Sequence, residues 1–168
     1  MDGRLDRIRL GLLDISEEQR VAEFGWVPGT HGHLGLISGS TGGSDAALRL
    51  IVDQLLSCGD ESHLYLLDAA GAFSAAVTSP RVGAVVGLHE LRRAVRVLER
   101  VSDEMTRRLS AADTAHSPAL VLALCGWGTW VSAIRAGPWP GPRTSSRTWC
   151  ATAPGPGSRC LCQVNANW

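Results

Sequence analysis

The chain is expected to be an α/β fold with a largely parallel sheet. Three observations carry that reading. Short apolar runs alternate with stretches of helical period, as in "HLGLIS" followed by "SDAALRLIVDQLLSCG". A glycine-rich turn joins that first pair. Apolar residues make up 45% of the 168 positions, enough for one domain with a core.

Each element follows from its own residues. "HLGLIS" (33–38) reads as a short buried strand. The next stretch, 44–59, reads as a helix because Leu48, Ile51, Val52, Leu55 and Leu56 recur at helical spacing. Ser44 suits its N-cap, Asp45 its positive end and Gly59 its stop. "HLYLLD" (63–68) is a second strand and "RVGAVV" (81–86) a third. Residues 90–109 form an amphipathic helix, with Leu91, Ala94, Val95, Leu98, Val101, Met105 and Leu109 on one face. "PALVLALC" (118–125) is a further buried strand. No internal repeat is visible.

Composition excludes several classes. The formal net charge is zero, so nothing draws the whole chain to nucleic acid. No run of about 18 apolar residues is present, and no membrane span is expected. The charged N-terminus "MDGRLDRIRL" lacks the apolar core of a secretory signal, so the expectation is a cytoplasmic chain, at a membrane only through partners. All 16 basic residues are Arg, and there is no Lys anywhere.

That last fact bears on "GSTGGSDA" (Gly39, Ser40, Thr41, Gly42, Gly43, Ser44, Asp45, Ala46). It nearly spells G-x-x-x-x-G-K-[ST], a loop whose backbone N–H groups and following helix hold phosphates. The lysine place holds Asp45, and the place of the metal-binding hydroxyl holds Ala46.

Residues 10 to about 137 resemble an FtsK/SpoIIIE-type ATPase domain. More narrowly, they are similar to the often degenerate C-terminal ATPase module of type VII secretion motors and related actinobacterial FtsK-like proteins. Four pieces carry the likeness in order: "LGLLDISEEQR", "GWVPGTHGHLGLISGSTGGSDAALRLIVDQL", "LYLLDAAG" and "RVGAVVGLHELRRAVRVLERVSDEMTRRL". Ser16 stands where the family usually has Pro.

The resemblance implies a P-loop NTPase-like three-layer sandwich that uses ATP. It also implies FtsK-like or type VII secretion motor components as partners, a ring of copies as a possible assembly, and DNA through the likeness alone. It places the second acidic motif at Cys125 and Gly126, so the metal-holding Asp and the catalytic Glu are both missing. A carboxylate at Asp45 repels phosphate by about 4 kcal/mol at 4 Å and intermediate dielectric. The expectation is a degenerate nucleotide-binding domain with weak ATP affinity at most, no bound Mg²⁺, no catalytic residues and no hydrolysis. The alternative is a catalytically silent interaction module.

Other residues read more plainly. Asp68 is expected to be structural or rim-lining, and His31, His33 and His63 a polar edge to the sheet rather than metal ligands. The six arginines of 90–109 share their helix with Glu99, Asp103 and Glu104, so a solvated, ion-paired face is expected. Trp127 and Trp130 are expected to close the end of the sheet.

The domain organisation expected is an extension over 1–9, a partial domain over 10–141 and a disordered tail over 142–168. The tail carries three Arg and no acid, is rich in Pro, Gly, Ser and Thr, and has no apolar period. Its C-x-C pair lacks the second pair or histidine that a metal site needs. Back-translated and read in a neighbouring frame, the tail gives a helix pattern, an Asp-Gly turn and an apolar strand, much as the family continues. An out-of-frame tail, and a fold left short of a strand and a helix, are therefore expected. Resequencing the gene across residues 137–143 tests the frame; an unshifted frame with no long neighbouring continuation would sink the idea.

Overall fold

In the computed structural model, which describes residues 7–39, 43–58, 62–110 and 118–137 and the backbone of 158–165, five parallel strands form one sheet. In chain order they are β3 (Leu34–Ser38), β4 (Ser62–Asp68), β5 (Val82–Gly87), β6 (Ala119–Cys125) and β7 (Ser158–Asn165). Their order across the sheet is β3-β7-β6-β4-β5. Two further strands, β1 (Ile8–Ile15) and β2 (Arg20–Trp26), make a separate antiparallel hairpin. The helices are α1 (Pro28–His31), α2 (Gly43–Ser57), α3 (Leu91–Ser110) and α4 (Trp127–Ala136).

The central strands β4 and β6 are buried on both faces, which explains their continuous apolar runs. Along β6, Val121, Ala123 and Cys125 pack in one core with Leu48, Ile51, Val52 and Leu55 of α2. The alternate residues Leu120, Leu122 and Leu124 pack in a second core with Ala94 and Val101 of α3 and Trp130 of α4. β4 divides the same way, with Leu64 and Leu66 in the first core and Leu67 in the second. Burying each such Leu or Ile stabilises the fold by about 1.5–3 kcal/mol. The three-layer α/β arrangement is thus the one the sequence implies.

Three differences have physical causes. The hairpin has no clean period-two pattern, because Leu12, Leu13, Val21 and Phe24 are exposed while only its base is buried at Ile8 and Trp26. Its base is fixed by a side chain instead: the Gln54 amide accepts from Arg9 N–H at 2.9 Å and donates to Arg9 C=O at 2.8 Å. The boundary expected after residue 9 therefore falls inside β1. Helix α2 begins at Gly43, so Ser44 lies buried within its first turn rather than at the N-cap. Gly59 lies outside the described residues.

The third difference concerns the tail. The expectation of disorder over 142–168 is overturned at Ser158–Asn165, where β7 runs parallel to both β3 and β6. Averaging over 27 residues hides the short stretch "SRCLCQVN". Two facing strand edges also offer rows of N–H and C=O groups that must find partners when buried, and that demand outweighs weak local propensity. The tail thus adds a strand to the sheet. Residues 138–157, and with them most of the tail, lie outside the described residues.

The arginine helix is ion-paired at half of its six positions. Arg93 meets Glu90 at 3.0 Å, and Arg107 and Arg108 both meet Glu104 at 2.7 Å. Arg92, Arg96 and Arg100 form no ion pair among the described residues. Hydrogen bonds from Arg107 and then Arg108 hold the Glu104 carboxyl down to about 2. A carboxyl lowered in the folded state stabilises it above the ordinary value of 4.5, and that contribution is lost as pH falls toward about 2. Glu104→Gln is expected to lower the melting temperature at pH 7, with the gap to wild type closing as melts are taken down through this window. A gap that does not change with pH would show that the carboxylate network is not its source.

Candidate nucleotide site

The glycine-rich turn and the end of β6 meet at the C-terminal edge of the sheet, where open parallel sheets hold their ligands. β3 delivers Ser38 and Gly39 to that edge, and α2 starts from it at Gly43. Ser40, Thr41 and Gly42 lie outside the described residues. Gly39, Gly43 and Ala46 are exposed, Ser44 is buried and Asp45 is half-buried.

Asp45 projects from the first turn of α2 toward the end of β6. The Cys125 thiol donates to its Oδ1 at 3.8 Å. The two positions where the sequence departs most sharply from a phosphate-and-metal site are thus in contact. β4 ends beside them, with Asp68 paired in register to Cys125. Asp68 is buried, and its carboxylate accepts the backbone N–H of Phe73 at 2.8 Å and of Ala70 at 3.3 Å. Its carboxylate organises the turn after β4, as expected of a structural residue.

The neighbouring backbone is equally committed. Gly126 has φ 77° and ψ 50°, a left-handed conformation that suits glycine. A Cβ there would lie 2.9 Å from the Ala69 Cβ. A glutamate at this position would therefore need the backbone to move. The next turn is fixed by Trp130, which is buried and donates its indole N–H to Cys125 C=O at 3.0 Å. Trp127 is half-buried against the same core, so the tryptophan pair does close this end of the sheet.

The electrostatics follow from this crowding. Burial, the Asp45 charge and then the Asp68 charge push the Cys125 thiol up to about 11, against a lowering contribution from Ala70 N–H. A carboxylate and a protonated thiol thus meet beside the glycine-rich turn. Two of the histidines weighed as metal ligands lie elsewhere: His31 Nδ1 accepts Val27 N–H at 3.1 Å beside α1, and His63 is at the opposite end of β4. The backbone of Cys160 and Cys162 is in β7.

No protein-family model matches the chain, and no curated protein matches it. Solved structures do. EssC (ATPases 2 and 3) from Geobacillus thermodenitrificans superposes with a TM-score of 0.73 at 12% identity, covering 99% of this chain and 34% of that one. The cytoplasmic domain of the Thermomonospora curvata type VII secretion ATPase EccC gives a TM-score of 0.66 at 23% identity, covering 98% and 21%.

The chain has the fold of a type VII secretion ATPase domain.

A second Thermomonospora curvata EccC structure, of ATPases 2 and 3 in complex with a signal sequence peptide, gives 0.64 at 20% identity, covering 98% and 33%. The chain spans about a third or less of the length of these solved chains. The likeness read from the sequence is therefore met by the fold. No helix among the described residues is long and apolar enough to cross a membrane.

Sequence reasoning placed Asp45, Ala46, Cys125 and Gly126 at one candidate site, and the structure brings them to one edge. It missed the thiol–carboxylate contact and the left-handed backbone of Gly126. A glycine directly after an apolar strand is the signal that could have indicated the latter. A thiol raised in the folded state stays protonated longer there than in the unfolded chain. Stability should therefore be flat below the ordinary thiol value of 9.0 and fall as pH rises toward about 11. Melts of Cys125→Ala are expected to show a shallower fall across that window; equal slopes would remove this role from Cys125.

Proposed function

We propose that the chain is an ATPase-like module of a type VII secretion motor that does not turn over ATP and acts through its contacts with other motor components. The observation that carries this reading is the Asp45–Cys125 contact, 3.8 Å long, where the likeness calls for a lysine and a metal-binding aspartate. Phosphoryl transfer requires cationic stabilisation of phosphate oxygens and a held divalent ion. Here the lysine place carries a negative charge, the hydroxyl place is Ala46, and the strand end offers a protonated thiol.

The loop's fold is retained for a different reason. With Asp45 in its first turn, α2 gains from the helix dipole. Its apolar face then holds the first core together. The signal sequence peptide bound to Thermomonospora curvata EccC supports placing this fold in machinery that meets exported chains.

Calorimetric titration with ATP and Mg²⁺ tests the reading. No binding tighter than about 100 μM, roughly −5.5 kcal/mol, is expected. Tighter binding would favour a working nucleotide-binding module instead. The double variant Asp45→Lys with Ala46→Ser is expected to strengthen ATP binding without hydrolysis. Turnover in that variant, with Cys125 and Gly126 unchanged, would contradict the account of the missing chemistry.

A further inference from the structure

A cavity of about 580 Å³ opens at the end of the sheet opposite the glycine-rich turn, between the starts of β4 and β6 and the last turns of α3. Its volume is that of a small-molecule site. Its walls mix an apolar part, made by Val101, Pro118 and Leu120, with a charged part from α3.

The charged part is constructed around one buried cation. The Arg108 side chain is 8% exposed and lines the cavity. Its Nε donates to Glu104 at 2.7 Å and its Nη1 to the Pro118 carbonyl at 2.7 Å. Nη2 makes no hydrogen bond among the described residues. Nη2 is not sealed off from solvent, so it is open to a ligand in the cavity.

Two more donors on the cavity wall are unused among the described residues. Arg100 and Tyr65 line the cavity, and neither has a hydrogen bond or ion pair among the described residues. The Tyr65 ring lies over Gly83, where an added Cβ would come within 2.7 Å of it. Glycine at that place leaves the room the ring occupies.

The charge balance selects the ligand. Arg100, Arg107 and Arg108 are offset by Asp103 and Glu104, leaving one positive charge. A monoanion neutralises that surplus, while a phosphate dianion or polyphosphate overshoots it beside two carboxylates.

We propose that this cavity binds an organic monocarboxylate, with its carboxylate on Arg108 Nη2, Arg100 and the Tyr65 hydroxyl and its apolar body against Val101 and Leu120. Such a carboxylate comes either from a free small acid or from the terminus of a peptide. The site is separate from the glycine-rich turn and independent of the function proposed for it.

The test uses the full chain and 3-phenylpropionate, with 3-phenylpropionamide as the neutral isostere, followed by calorimetry and the side-chain Nε–H signals of arginine. Saturable binding of the acid in the range below ~10 mM is expected, with a shift of the Arg108 signal and at least tenfold weaker binding of the amide. Arg100→Gln is exposed enough to fold and is expected to weaken the acid about tenfold, as loss of a charged hydrogen bond does. Arg92→Gln, on the same helix away from the cavity, should leave binding unchanged. No saturable binding, equal binding of acid and amide, or an unaffected Arg100→Gln variant would each overturn the proposal. A tripeptide ending in Leu-Phe, with free and amidated termini, separates the sources. If the free terminus competes more tightly than the small acid, the ligand is a chain end; if more weakly, it is a free acid.

Discussion

The pairing of β7 with β3 is the interaction on which the candidate site depends. Among the described residues, β3 is an edge strand whose only neighbour in the sheet is β7. Five residue pairs, from Leu34↔Leu161 to Ser38↔Asn165, make that ladder, and another five join β7 to β6. The strand that leads into the glycine-rich turn is therefore hydrogen-bonded to the sheet through the last described segment of the chain. Without it, the packing of α2 remains to hold β3, and a buried apolar face fixes position less sharply than a ladder fixes register.

The site inherits this dependence. Asp45 comes from the helix after β3, and Cys125 from the end of β6, two strands away. β7 sets the spacing between those strands, near 4.8 Å per step. The thiol–carboxylate contact is then a consequence of sheet continuity rather than of either residue alone. The opposite end of the sheet is held by more than β7, which pairs there with the start of β6. Glu104, Arg107 and Arg108 are clamped to β6 through Pro118, and β6 pairs with β4 over its whole length.

Most of the layered fold was legible in the sequence, because it rests on periodicity. The apolar runs of β3, β4, β5 and β6 and the spacing of Leu48, Ile51, Val52 and Leu55 each specify an element and its buried face. The positions of Asp45 and Ala46 in the loop, and of Cys125 and Gly126 after β6, were legible through the likeness to a known family. The hairpin was not, because a polar amide from Gln54 and the two buried side chains of Ile8 and Trp26 at its base hold it, and neither leaves a periodic trace. β7 was not, because its pairing is a non-local demand of two open edges, and the surrounding Pro and Gly dominate any local average. The Cys125–Asp45 contact joins residues 80 positions apart and has no sequence pattern of its own.

Amide hydrogen exchange, measured on the full chain and on a chain ended at Gly157, tests the central dependence most directly. The account predicts that ending the chain there removes protection from the β3 amides, Leu34 to Ser38, while the β4 amides, flanked by β5 and β6, keep theirs. Unchanged protection of β3 in the shortened chain would contradict it.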